Sequence, residues 1–456
     1  MGREKTEDIL VRLRGISYVA LPLIIQGFVF QLQSLTDKAF LGNLDTQYVS
    51  AVGAAQMPYG TTVDSLVAMS VGLIIIVSRL FGADKKDKIP QYTKSTIFHH
   101  TFLGVILFLI WQCATRPILE FFQIDAQIIN YSITYVKICS CYLVFIGIDC
   151  SLQAMLQGMG NTKPIMYSGI LKVGLNLLFS WVLIFGKFGF PALYVTGAAI
   201  GTLVANMISF LFIICYCMIV KKKQFSLTKI NREWLSWKPY KEVIQLGVPV
   251  GLEYLLWNAS NLLLIRFING FSYQDMAIYT LTFGCQCVVY VIFDATSKAT
   301  LTIMGQEIGA QRVKKANQFF YTSIIFNFCI VAIAALVFIW IPYQLLDIFS
   351  NDTLLIKNGI PFLQFIGLIM LPQSMNVICG NGIRAYGDTR WMLVSQIIGS
   401  TLVVSISWFL VVQLHMNMMA IYITILIDET VRGMVNFIYY RKKYGSKCSL
   451  QEECMV

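Results

Sequence analysis

The chain has 456 residues, of which 57% are hydrophobic and 13% charged, with a mean hydropathy of +0.66 and a formal net charge of +11. A soluble domain carries roughly 25% charged and 45–50% apolar residues, so this composition excludes an ordinary soluble protein and indicates a polytopic membrane protein. The basic residues sit in short segments between apolar runs. That placement reflects orientation in a bilayer rather than nucleic-acid binding, for which an aromatic-interleaved basic stripe is missing.

The opening MGREKTEDILVRLRG is charged and carries no small-residue cleavage pattern, so no signal peptide is expected. Hydropathy then predicts twelve spans, near 16–41, 48–80, 90–116, 128–157, 164–186, 191–220, 241–271, 276–308, 317–341, 357–383, 391–414 and 418–440. The first holds Pro22 near its start and Asp37 near its far end. A lone carboxylate at membrane depth costs roughly 2.5–3.5 kcal/mol on insertion scales, so a cation is expected to offset it. The alternative is that Asp37 pairs with Lys38 or caps a helix end. Most cysteines lie inside apolar runs and read as small hydrophobes, and no spacing of Cys and His suggests a metal site.

Basic clusters alternate with basic-poor turns along the whole chain. Lys85, Lys86 and Lys88, then Lys163, the 221–240 segment, Arg312 with Lys314 and Lys315, Arg390, and Arg441 to Lys443 fall on one side with the N-terminus. Both termini are therefore expected in the cytoplasm, with the protein in the cell membrane.

An internal repeat has a constant offset of 227 residues. It relates Pro22 to Pro249, Gly82-Ala83 to Gly309-Ala310, and Gly160 and Thr162 to Gly387 and Thr389. Six spans per copy is an even number, so the copies enter the membrane in the same sense, as parallel repeats. The expected organisation is an N-lobe at 1–220, a cytoplasmic linker at 221–240 and a C-lobe at 241–456.

In the first lobe, Pro22 is followed by Asp37-Lys38-Ala39-Phe40-Leu41-Gly42 and Ala51-Val52-Gly53. Leu156-Gln157-Gly158-Met159-Gly160-Asn161-Thr162-Lys163-Pro164 and Gly197-Ala198-Ala199-Ile200-Gly201-Thr202 come next. Gly247-Val248-Pro249, Gly305-Gln306-Glu307-Ile308-Gly309-Ala310 and Arg384-Ala385-Tyr386-Gly387-Asp388-Thr389 repeat the scheme. In order and spacing, over nearly the whole chain, these resemble the multidrug and toxic compound extrusion (MATE) family of the MOP flippase superfamily. The resemblance implies an all-α fold of twelve transmembrane helices in a V-shaped pair of six-helix repeats. It also implies a cation-coupled antiporter, not an enzyme, that exports cationic amphipathic compounds at the expense of Na⁺ or H⁺ and needs no other cofactor. Its partners would be small organic cations and membrane lipids, and a monomer is expected.

By the same resemblance Asp37 matches the first-helix aspartate, Asn176 a helix-5 asparagine and Thr202 a helix-6 threonine. Ser180 stands where members often carry Asp or Asn, which leaves the identity of the ion open. Trp257 stands where many members carry a helix-7 glutamate, with Glu253 one turn earlier, and Gln373 where some carry an aspartate. Coupling is therefore placed in the N-lobe. Read from the residues alone, the oxygens of Asp37, Asn176, Ser180 and Thr202 suit a hard cation, or a proton held on Asp37.

Asp149 and Gln153 lie one helical turn apart, and Asp149 is the repeat mate of Asn376. They either line a substrate cavity or bond a neighbouring helix. Gln33, Asn376, Glu253 and Trp257 complete the candidate substrate set, and Pro22 is the candidate helix bend. Asp294 with Lys298, and Asp428 or Glu429 with Arg432, read as self-neutralising structural pairs. A lipid or oligosaccharide flippase of the same superfamily is the rival. It would be expected to present several Arg and Lys at depth, where this chain has only Lys172, Arg266 and Lys298.

Overall fold

A computed structural model of the chain describes residues 2–42, 44–219, 233–350 and 352–445, with side chains except at positions 2–7, 34–35, 37–39, 42 and 46. The Asp37 side chain and most of the 221–240 segment lie outside the described residues. The described chain is helical, with fifteen α-helices and no strand, as lipid demands when no water is present to satisfy backbone groups.

The chain divides into two compact units, Ile25–Gly251 and Met1–Ile24 with Leu252–Val456. The first unit takes the later part of α1 (Gly2–Gly42), then α2 (Thr46–Met69), α3 (Val71–Gly82), α4 (Ile89–Phe121), α5 (Ile129–Ser140), α6 (Leu143–Gly158), α7 (Lys163–Phe185), α8 (Tyr194–Ile219) and the opening of α9 (Trp237–Ile268). The second takes the opening of α1, the rest of α9, α10 (Tyr273–Gly309), α11 (Val313–Trp340), α12 (Pro342–Asp347), α13 (Thr353–Ala385), α14 (Thr389–Trp408) and α15 (Met419–Tyr440). Thus α1 and α9 each serve both units. The crossings, after Ile24 and after Gly251, are repeat mates, each two residues beyond an internal proline, Pro22 and Pro249.

Ten helical stretches among the described residues are long and apolar enough to cross a membrane, and α5 with α6, bent by 51°, forms an eleventh. The predicted span 128–157 is thus one broken helix. The 22 residues of α15 also cover the ~30 Å of hydrocarbon at 1.5 Å per residue. They carry Asp428, Glu429 and Arg432 at their middle, which keeps α15 out of the apolar set. Prediction missed α12, a single six-residue turn opened by Pro342.

The repeat is written into the backbone. Gly160 and Gly387 both sit at φ 76°, Asp84 and Gln311 at 54° and 61°, and Phe188 and His415 at 55° and 51°. Each pair is separated by the same 227 residues. Left-handed backbone is costly for residues with a Cβ, so its recurrence at mated non-glycine positions marks the same turn built twice.

Packing follows the membrane rule that small residues let backbones approach. A Cβ at Gly72 would collide with the Val243 carbonyl, and one at Gly247 with the Met69 carbonyl. These two glycines seat the opening of α9 on α2 and α3. In the other unit the opening of α1 buries Ile16, Val19 and Ala20 against Ala299 and Ile303 of α10. Each unit has its own apolar core. One is built around Leu66, Trp111, Leu143 and Ala199, the other around Phe293, Leu363, Ile366 and Tyr422.

Candidate functional site

In the unit Ile25–Gly251, α7 and α8 form an antiparallel pair closed near one end by Ser168 and Ser209, whose hydroxyls lie 2.6 Å apart. Farther along α7, Asn176 and Ser180 stand on one face, four residues apart. Asn176 Nδ2 donates to Thr202 Oγ1 of α8 at 3.1 Å. Both Asn176 and Ser180 are buried, yet Asn176 Oδ1 and Ser180 Oγ find no hydrogen-bond partner among the described residues. Orphaned buried polar atoms are rare and costly, about 1–3 kcal/mol each. Gly201 makes room for Ser180, since a Cβ there would stand 2.8 Å from both its backbone nitrogen and its hydroxyl. Three of the four predicted coupling residues are thus brought together. The fourth, Asp37, has its backbone in α1 and its side chain outside the described residues.

On α6, Asp149 Oδ2 accepts from Gln153 Nε2 at 2.9 Å, the predicted one-turn pair, and from the Tyr142 hydroxyl at 2.6 Å. Its Oδ1 is buried with no hydrogen-bond partner among the described residues. Lys172 of α7 lies within electrostatic reach of Asp149, and its ammonium sits 5.1 Å from the centre of the Phe30 ring. Gln33 is half-buried, one turn after Phe30 on α1. Sequence reasoning left out Tyr142. The available signal was its place seven residues before Asp149, two helical turns, and the break between α5 and α6 obscures that spacing.

The remaining candidates lie in the other unit, Glu253 and Asn376 in two buried polar clusters. Glu253 accepts from Arg384 Nη2 at 2.6 Å, and its second oxygen has no hydrogen-bond partner among the described residues. Arg384 also donates to Asn381 at 3.0 Å, and Asn381 to Ser297 at 2.7 Å. Asn376 donates to Glu429 Oε2 at 2.8 Å and accepts from Asn436 at 2.9 Å. Arg432 serves both adjacent acids. It holds Asp428 through Nε at 2.8 Å and through Nη2, and reaches Glu429 at 3.3 Å. The sequence reading of one acid per arginine is therefore corrected to two acids on one guanidinium. Asp294 and Lys298 pair at 2.7 Å as predicted. Trp257, one turn beyond Glu253 on α9, is 45% exposed and outside both clusters.

The MatE family model matches residues 22–182 and again 249–409, two segments whose starts and ends are each offset by 227. A probable multidrug resistance protein NorM of Thermotoga maritima is 23% identical over 430 residues, 92% of this chain and 90% of that protein. A probable multidrug resistance protein YoeA of Bacillus subtilis is 24% identical, covering 84% of this chain and 83% of its own length. The fold is similar to that of an outward-facing multidrug resistance MATE transporter, with a TM-score of 0.86 at 20% identity over 95% of this chain and 96% of that one. A MOP superfamily transporter from Pyrococcus furiosus, whose binding pocket is described as of reversed polarity, superposes with a TM-score of 0.82 at 19% identity, over 95% of this chain and 96% of its own.

Proposed function

Because the chain belongs to the MatE family, we propose that it is a secondary transporter that exports amphipathic organic cations by alternating access, driven by inward flow of H⁺ or Na⁺. Relatives that span almost the same length are described as multidrug resistance proteins, which supports the substrate class. The observation that carries the coupling is the pair of orphaned oxygens, Asn176 Oδ1 and Ser180 Oγ, in a buried fold of α7 and α8.

In this reading Asp37 supplies the charge, and the amide and hydroxyl oxygens supply neutral ligands. Carboxylate, amide and hydroxyl oxygens form the donor set a hard cation prefers. A proton held on Asp37 uses the same residues through hydrogen bonds. Asp149, with Gln153, Tyr142 and Gln33, provides a buried negative locus for a cationic substrate in one unit, and Asn376, Glu253 and Trp257 are the substrate candidates of the other. The coupling ion loads from outside, and its binding alters α1 near Pro22, a proline inside a helix where the backbone loses a hydrogen bond. Substrate then leaves outward, and the ion leaves inward on return. Both termini face the cytoplasm of a cell-membrane protein acting as a monomer among lipids.

The test is efflux of a fluorescent organic cation from proteoliposomes under an imposed pH or Na⁺ gradient. Asp37→Asn is expected to abolish gradient-driven efflux. Unchanged efflux in that variant overturns the assignment. Loss of the Na⁺-driven component alone assigns Na⁺ as the coupling ion, and loss of the pH-driven component alone assigns H⁺.

A further inference from the structure

We propose that Glu429 of α15 is a second, independent proton-binding carboxylate, whose proton reverses a short relay of buried amides formed with Gln373 and Gln286. Three observations converge on it.

The first is a charge count. Asp428 and Glu429 are adjacent, both under 10% exposed, and share Arg432. The titratable groups around the cluster are Tyr290 of α10, beside Glu429, and Glu253 of α9, beside Arg432, with Tyr254 of α9, Asp294 and Lys298 of α10 and Arg384 of α13 next to these in turn. From α14 the pair meets an uncharged amide, Gln396, which accepts from Arg432 at 2.7 Å. Glu253 is neutralised by Arg384 and Asp294 by Lys298. Among the described residues this leaves one carboxylate more than the cations beside it, near the middle of a membrane-spanning helix. One proton removes the excess.

The second is geometry that selects Glu429. Asp428 takes two contacts from Arg432, the strong forked arrangement. Among the described residues Glu429 Oε1 has only long hydrogen-bond contacts, to Arg432 at 3.3 Å and Gln373 Nε2 at 3.4 Å. Gln286 Nε2 donates to Gln373 Oε1 at 2.8 Å, while Gln286 Oε1, on a residue 4% exposed, has no hydrogen-bond partner among the described residues. Both amides therefore point their donors toward Glu429, and the far end of the row is an acceptor without a donor. Add a proton to Glu429 Oε1 and the row reverses. The new O–H donates to Gln373 Oε1, both amides turn over, and the Gln373 N–H donates to Gln286 Oε1, while the Gln286 N–H takes the outer place that its oxygen held. Asn376 keeps its bond to Oε2, and Arg432 keeps Asp428 and Gln396.

The third is the repeat. The 227-residue offset makes Glu429 the mate of Thr202, which bonds Asn176 in the cluster described above. Asp428 and Arg432 take the places of Gly201 and Ala205. Gly399, the mate of Lys172, leaves room for them, since a Cβ there would meet Asp428 Oδ1 at 2.6 Å as well as the Arg432 side chain. The mate of Asp37 is Leu264, which is buried at 3% exposure. One frame position thus carries a neutral oxygen in one unit and an acid in the other.

The experiment is infrared difference spectroscopy, acid minus neutral, on the full-length protein in liposomes. It is paired with proton uptake counted in weakly buffered suspension. Wild type is expected to gain a protonated-carboxyl C=O band, and Glu429→Gln to lose that band together with about one proton of uptake per chain. Asp37→Asn is expected to keep the band, which separates this site from the coupling reading above. Gln373→Met, which retains every charge but cuts the relay, is expected to shift both the band and its pH midpoint. A band and uptake unchanged in Glu429→Gln overturn the proposal. So does a wild-type spectrum in which Na⁺ at fixed pH, rather than acid, perturbs the carboxylate.

Discussion

Replacing Arg432 by methionine keeps much of the side-chain length and removes the charge. The guanidinium is the cation bonded to both Asp428 and Glu429, whose side chains are 5% and 7% exposed. Breaking a buried pair by deleting one partner typically costs 3–5 kcal/mol, because the remaining charge is stranded. Here the variant has an escape, since a stranded carboxylate can take up a proton. From an ordinary value near 3.9, holding that proton costs about 4 kcal/mol at pH 7 and about 1.5 kcal/mol at pH 5. The loss from this one extra acid is therefore capped near 4 kcal/mol at neutral pH and shrinks by more than half on acidification. Unfolding by denaturant in bicelles at the two pH values, wild type beside Arg432→Met, measures this. Adding Asp428→Asn removes one stranded acid and is expected to recover most of the loss at pH 7, as a coupled pair should. A penalty that does not change with pH, or a double variant no better than the single, refutes the reasoning and leaves only lost packing.

Gly201→Ala drives a methyl into the Ser180 amide and hydroxyl at 2.8 Å. An overpacking cost of about 1–3 kcal/mol falls on the α7–α8 cluster, so gradient-driven efflux is expected to drop several-fold while the protein still folds, read in the proteoliposome assay. Gly247→Ala meets the Met69 carbonyl and is expected to lower the thermal unfolding midpoint measurably; an unchanged midpoint contradicts the seating of α9 on α2. Asp388, in the turn before α14, is partly buried, which raises its pKa. Hydrogen bonds from Lys443, Tyr439 and Tyr444 outweigh that and hold it below the usual carboxylate range. With the folded value depressed, its stabilisation is present above the ordinary pKa near 3.9 and is lost as pH falls through the folded value. Asp388→Asn is expected to be less stable than wild type at neutral pH and equal to it in strong acid, in unfolding curves taken across pH.

Much of this protein is legible in one dimension because the bilayer reads the chain locally. Apolar runs of about 20 residues must become helices. A constant offset from Pro22 to Pro249 and from Gly160 to Gly387 announces two copies, and the mated glycines share φ 76°. The one-turn spacings of Asp149 with Gln153 and of Asp294 with Lys298 were equally readable, because such pairs lie within a single helix. Partners across helices were not readable. Glu253 meets Arg384 across 131 residues, and Glu429 meets Asn376 across 53. Helical periodicity states which face a side chain occupies but not which helix lies opposite. The exchange of the openings of α1 and α9 between units, and the break between α5 and α6, were hidden for the same reason: hydropathy measures whether a segment prefers lipid, and only packing decides its neighbours. The order of apolar runs and mated residues along this chain therefore determined that it spans a membrane in two copies of one pattern. Tertiary structure decided where its few charges meet, placing two acids on one arginine and leaving two buried oxygens of α7 without a partner among the described residues.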